Sequence, residues 1–129
     1  MPRSPLPRSP LTTSPLARLL GLATTAYAVT TLVRPSVLTG PTEVGETPST
    51  AVLTRAVGAR DAASGLAIAL APGRRSLQLA LATRAASDLG DAVAFGTADL
   101  SPEARKKILA VSLGWAALNV AALIAVGRS

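Results

Sequence analysis

Residues 57–70 read VGARDAASGLAIAL. The stretch has the small and aliphatic residues of a buried helix, yet Arg60 and Asp61 stand in its first third. A full cation and a full anion in such a segment are tolerated only where a neighbour neutralises them, because an unpaired charge in apolar surroundings is costly. The fold therefore turns on what lies opposite these two residues.

The rest of the chain has the composition of a membrane protein. Hydrophobic residues make up 49% of the 129 residues but aromatics only 2%, so a water-soluble core would have to be built from Ala, Leu and Val. Cysteine and histidine are absent. That removes disulfides, thiol chemistry, Cys/His metal sites and the usual histidine general base. The net charge is +6, without a basic helix or an aromatic stacking platform for nucleic acid. A basic, aliphatic chain suits a lipid bilayer with anionic headgroups at its flanks.

Four helical segments follow from the pattern. Residues 1–15 repeat the pentapeptide PRSPL at 2–6 and 7–11, and proline at this density predicts a disordered basic tail. Ser14-Pro15 has the form of an N-cap followed by proline at the first helical position. The first span, 16–33, carries one charge, Arg18, which is expected to snorkel to the surface. It also carries a small-residue stripe, Ala17, Gly21 and Thr25. A basic start, an apolar run and Ala26-Tyr27-Ala28 also resemble a cleavable signal peptide, although the run continues past Ala28. Residues 34–50, with three prolines, two glycines, Glu43 and Glu46, are expected to be a loop. The second span covers 51–71, the third 76–96 and the fourth 108–126, leaving a short tail at 127–129. The fourth contains no charge and should insert alone, whereas the third carries Arg84, Asp88 and Asp91 and needs partners. Ser101-Pro102-Glu103 is a cap–proline–acid helix start, and Arg105-Lys106-Lys107 reads as an interfacial anchor. The expected fold is an all-α, up-down four-helix bundle that crosses a membrane several times.

The third segment answers the question posed by the second. Pro72-Gly73 joins them by a tight turn, so antiparallel packing is expected. Counting outward from that turn places Arg60, Asp61, Arg84 and Asp88 at similar depth, ~16–22 Å at helical rise. Arg84, Asp88 and Asp91 share one face of their helix, and Asp61 shares a face with Gly58 and Gly65, where a neighbouring backbone can approach closely. Asp88 has two candidate partners, Arg84 in its own helix and Arg60 across the gap, while Asp61 can take Arg84.

The pairing of Gly58-Ala59-Arg60-Asp61 with Asp88-Leu89-Gly90-Asp91 resembles a family of small four-span integral membrane proteins of unknown function. In that family a Gly-x-Arg-Asp motif lies in the second span and an Asp-x-x-Asp motif in the third. The resemblance covers residues 16–126 and implies a membrane-embedded helical domain with no established activity. It makes Gly58, Arg60, Asp61, Asp88 and Asp91 the characteristic positions.

Two readings of the Arg60, Asp61, Arg84, Asp88 and Asp91 cluster stay open. It is either a polar staple fixing the register of two spans, or a site for a proton relay or small ligand in a carrier subunit or binding protein. Trp115, Asn119 and Ser112 share a face of the last span and suit hydrogen bonds between helices. Tyr27 is read mainly as packing. No catalytic, cofactor-binding or metal-ligating set can be assembled. The expected partners are the bilayer and a second copy of the chain, not nucleic acid. The balance of Lys and Arg across the connections favours cytosolic N- and C-termini.

Overall fold

The helices start where capping chemistry dictates. In the computed structural model, which describes residues 14–42, 45 and 47–129, α1 (Pro15–Val33) begins at Ser14, whose side chain accepts from the backbone N–H of Ala17. It stops at Arg34, because Pro35 disfavours helical backbone in the residue before it. α2 is the short helix Ser36–Thr42. α3 (Pro48–Leu70) opens on a capping box in which Thr47 and Thr50 satisfy each other's backbone N–H groups, and it ends at Ala71-Pro72. α4 spans Arg74–Thr97, and α5 (Pro102–Arg128) starts from the Ser101 cap with Glu103 in its first turn. Among the described residues there is no strand.

These boundaries correct the sequence reading at several points. Residues 34–50 are not wholly a loop, since Pro35 nucleates α2, accepting from the backbone N–H groups of Leu38 and Thr39. α3 begins at Pro48 rather than 51, and α5 starts from the Ser101-Pro102-Glu103 cap, six residues before the apolar span 108–126. In both cases the cap–proline pair lies upstream of the apolar run that marked the span. α5 also runs through Arg128, where a short tail was expected. The repeat at 2–6 and 7–11 lies outside the described residues, as do Glu43 and Glu46. Among the described residues two helices, α1 and α5, are long and apolar enough to cross a membrane, not four. Mid-helix charges keep α3 and α4 below the same measure.

The closest helix pairs are α1 with α3 and α4 with α5. α1 and α3 touch backbone to backbone. A Cβ built on Gly65 would sit 2.5 Å from Thr25 Oγ1 and 2.8 Å from Gly21 O, and one on Gly21 would sit 2.7 Å from Gly65 O. Gly58 faces Leu32 and Ala28 more loosely, its nearest atom Leu32 Cγ at 3.1 Å. α3 and α4, expected to pack antiparallel, approach less closely than those two pairs. α3 and α4 make few backbone approaches and meet through long charged side chains. Glycines lead α1 onto α3, whereas arginine side chains need room between α3 and α4.

An apolar cluster that includes Leu20, Ile68, Leu77, Leu81 and Val126 fills the end of the bundle beside the 71–73 link. Arg18 belongs to this end. It does not snorkel: at 8% exposure, its Nη1 donates to the carbonyls of Ile68 (2.9 Å) and Ala69 (3.1 Å), and its Nη2 to that of Ala71 (2.8 Å). The last carbonyls of a helix have no partner within it, and a planar guanidinium fork can reach several at once. Arg18 thereby becomes the C-terminal cap of α3.

The glycine geometry predicts opposite signs for similar substitutions. Gly65→Ala should destabilise the fold by ~1–3 kcal/mol, because a backbone must move. Gly114→Ala, where an added Cβ meets nothing within 4 Å, should stabilise by ~0.5–1 kcal/mol. Thermal unfolding followed by circular dichroism measures both.

Candidate functional site

Each arginine of the charged cluster holds two carboxylates. Arg60 on α3 grips Asp91 on α4 with both ends of its fork, Nη1 to Oδ1 at 3.0 Å and Nη2 to Oδ2 at 2.7 Å, and its Nε donates to Asp61 at 3.0 Å. Arg84 on α4 holds Asp88 one turn away through Nε (3.2 Å) and Nη2 (2.7 Å). It reaches Asp61 on α3 with Nη1 at 2.7 Å and donates to Ser64 Oγ at 3.2 Å. Ser64 in turn donates to the Asp61 carbonyl at 3.0 Å. Asp88 therefore pairs within its own helix, and its alternative partner Arg60 goes to Asp91 instead. The i, i+4 spacing on one helix brings Arg84 and Asp88 together without moving either backbone.

The cluster grades from buried to exposed. The side chains of Arg84 and Asp88 are 6% and 4% exposed, while those of Arg60 and Asp91 are 38% and 26%. A buried guanidinium that loses a partner leaves uncompensated charge, whereas a half-exposed pair is screened. Formally, three carboxylates face two guanidiniums, so the cluster carries a surplus negative charge. Every guanidinium nitrogen of Arg84 is engaged, but each carboxylate has acceptor capacity to spare.

The charged residues form one wall of a cavity of about 150 Å³ bordered by all five helices. Asp61, Arg84, Asp88 and Asp91 line it, and Tyr27, Phe95 and Trp115 complete it from α1, α4 and α5. These are the chain's only Tyr, Phe and Trp. Leu38 brings α2 to the rim, and Lys107 reaches it from the first turns of α5. Lys107 is thus more than the interfacial anchor its tribasic context suggested. Arg105, its neighbour in that run, turns back to the carbonyl of Ala98 at 3.0 Å.

Other assignments change with the geometry. Asn119 is fully buried but donates to the Trp115 carbonyl of its own helix at 2.9 Å, so the expected bond between helices is not made. Trp115 and Ser112 line the cavity, and Tyr27 lines it without bonding the carboxylates. Gly58 and Gly65 serve the contact with α1. Phe95 and Thr24 were not singled out from sequence. Phe95 had a signal, since it lies four and seven residues beyond Asp91 and Asp88 on the same helical face. Thr24 had none, because what makes it notable is contact from other helices. Among the described residues no group of three or more possible metal ligands is assembled.

The burial gradient orders the arginines. Arg84→Gln should cost ~3–5 kcal/mol of stability, and Arg60→Gln, at the more exposed end of the cluster, should cost less. Asp61→Asn combined with Arg84→Gln should recover part of the Arg84→Gln loss, as a double-mutant cycle of unfolding measurements would read.

Compared with known protein families, with characterised proteins and with solved structures, the chain finds no match.

Proposed function

We propose that the chain is a small multi-pass integral membrane protein in which α1, α3, α4 and α5 cross the bilayer in up-down order, and that the Arg/Asp cluster joins its second and third spans. The observation that carries this reading is the inversion of polarity. Leu19, Leu53, Leu70, Leu79, Val93 and Ile124 are among the large apolar side chains exposed on the four long helices, whereas Arg84, Asp61, Asp88 and Asn119 are buried. In water such a surface drives aggregation; in lipid it is the solvated one, and polar groups turn inward to satisfy each other.

The charges of α3 and α4 support the reading. Either helix alone would carry unpaired ions into hydrocarbon, but the cross-helix pairs Arg60–Asp91 and Arg84–Asp61 cancel most of that charge. The cluster then acts as a register lock whose partners match only when the two spans sit at one depth. The resemblance of the two motifs to a four-span family belongs to the same proposal, as do cytosolic termini and self-association through exposed faces. A second reading, in which the cluster is also a binding site, is favoured by the cavity it lines.

The chain has no cysteine, so single cysteines report its topology directly. The expressed protein should stay with membranes through an alkaline wash and leave them only in detergent; recovery from the aqueous fraction would end the proposal. In sealed vesicles or intact cells, Gly45→Cys and Asp99→Cys should react with an impermeant maleimide from outside, and Gly73→Cys and Ser129→Cys only after permeabilisation. If Gly73→Cys labels from outside together with the first two, only α1 and α5 span.

A further inference from the structure

Three features of the cavity point to one kind of ligand. The first is charge: its polar wall presents the carboxylates of Asp61, Asp88 and Asp91, Lys107 brings a cation only at the exposed rim, and Arg84, the only arginine lining it among the described residues, has its guanidinium nitrogens committed to Asp61, Asp88 and Ser64. An anion would meet carboxylates and find no free donor on that arginine, whereas a donor cation meets spare acceptor positions. The second is the aromatic content. In a chain with one Tyr, one Phe and one Trp, all three converge here from three helices, and aromatic faces attract cations. The third is Thr24, which lines the cavity at 4% exposure and whose Oγ1 has no hydrogen-bond partner among the described residues. A buried hydroxyl without a partner is costly and marks a place where a polar ligand group, an ammonium donor among them, would be satisfied.

We propose that this cavity binds a small organic cation, a protonated primary amine carried on an apolar body. The ammonium would sit against the carboxylate wall and the Thr24 hydroxyl, with its apolar part between Tyr27, Phe95 and Trp115. A volume of about 150 Å³ suits a body near the size of benzene, which engineered apolar cavities of that volume admit. Lys107, exposed at the rim, is a like charge to the ligand's ammonium. The proposal deepens the binding-site reading of the cluster and assumes its pairings stay intact.

The sole tryptophan lies in the cavity wall, so its fluorescence reports occupancy. The full chain in detergent micelles is titrated with benzylammonium, benzyl alcohol and benzoate, which share a ring and differ in charge. Benzylammonium should give a saturable change and bind about tenfold or more tightly than benzyl alcohol. Benzoate should give none. Asp91→Asn removes one negative charge from the wall, keeps an amide oxygen for Arg60 and leaves Asp61 and Asp88 on Arg84, and should weaken benzylammonium about tenfold with the circular dichroism spectrum unchanged. Lys107→Gln changes an exposed side chain and should tighten it about threefold by removing a like charge. An unsaturable response, no preference over benzyl alcohol, a preference for benzoate, or weaker binding in Lys107→Gln would each overturn the proposal. In nanodiscs, competition by phosphatidylethanolamine but not phosphatidylglycerol would identify the amine as a lipid headgroup, and equal binding in both lipids would identify a free amine. A chain that requires detergent yet ignores benzylammonium keeps the membrane proposal and loses this one.

Discussion

The Arg84 guanidinium is the constraint around which the rest of the molecule is arranged. A cation at 6% exposure persists only if its donors are met, and three side chains meet them: Asp88 one turn along α4, and Asp61 and Ser64 across on α3. Those bonds hold α3 and α4 at the separation an arginine side chain requires, wider than the spacing at which α1 and α3 touch through Gly21 and Gly65. The cavity is a consequence of that separation. Two helices that meet through ion pairs leave space beside the pairs, and α1, α2 and α5 close around it.

The two ends of the bundle are held by different means. Beside the 71–73 link, packing is apolar, and Arg18 closes the α3 terminus by taking its last carbonyls. Farther from the link, charge and hydrogen bonding join α3 to α4. The division has a physical logic in the proposed bilayer. Small and aliphatic residues pack well there but discriminate poorly between registers, since lipid tails are as apolar as leucine. Complementary charges discriminate sharply, because a slip of one turn leaves an ion without its partner. The same cluster can therefore set register and present unused acceptors to a ligand, as the carboxylates outnumber the guanidiniums.

Much of the architecture was legible in residue patterns, for local reasons. Cap–proline pairs at Ser14-Pro15 and Ser101-Pro102 mark helix starts through the geometry of a single turn. Pro72-Gly73 marks a chain reversal, and the spacing of Arg84, Asp88 and Asp91 places them on one helical face. Matching distance from the reversal brings Asp61 level with Arg84, and arithmetic along the chain is enough for that. Where the reading failed, the cause was competition between elements. The residues of α2 carry turn formers whose local pattern is that of a loop, and nothing near Arg18 in sequence shows its partners, the carbonyls ending α3, which lie fifty residues away.

By itself the sequence determined that the chain is helical, where its helices break, and that arginines and aspartates on consecutive segments had to meet at one level. Those outcomes follow from backbone sterics, helical periodicity and the cost of an isolated buried charge, all of which act on short stretches. Only the tertiary structure decided that α1 takes the glycine face of α3, that Arg60 holds Asp91 while Asp88 stays with Arg84, and that Tyr27, Phe95, Trp115 and Lys107 gather about one cavity. Each of these choices depends on which of several compatible surfaces comes into contact. That selection is made by shape and charge across helices distant in the chain.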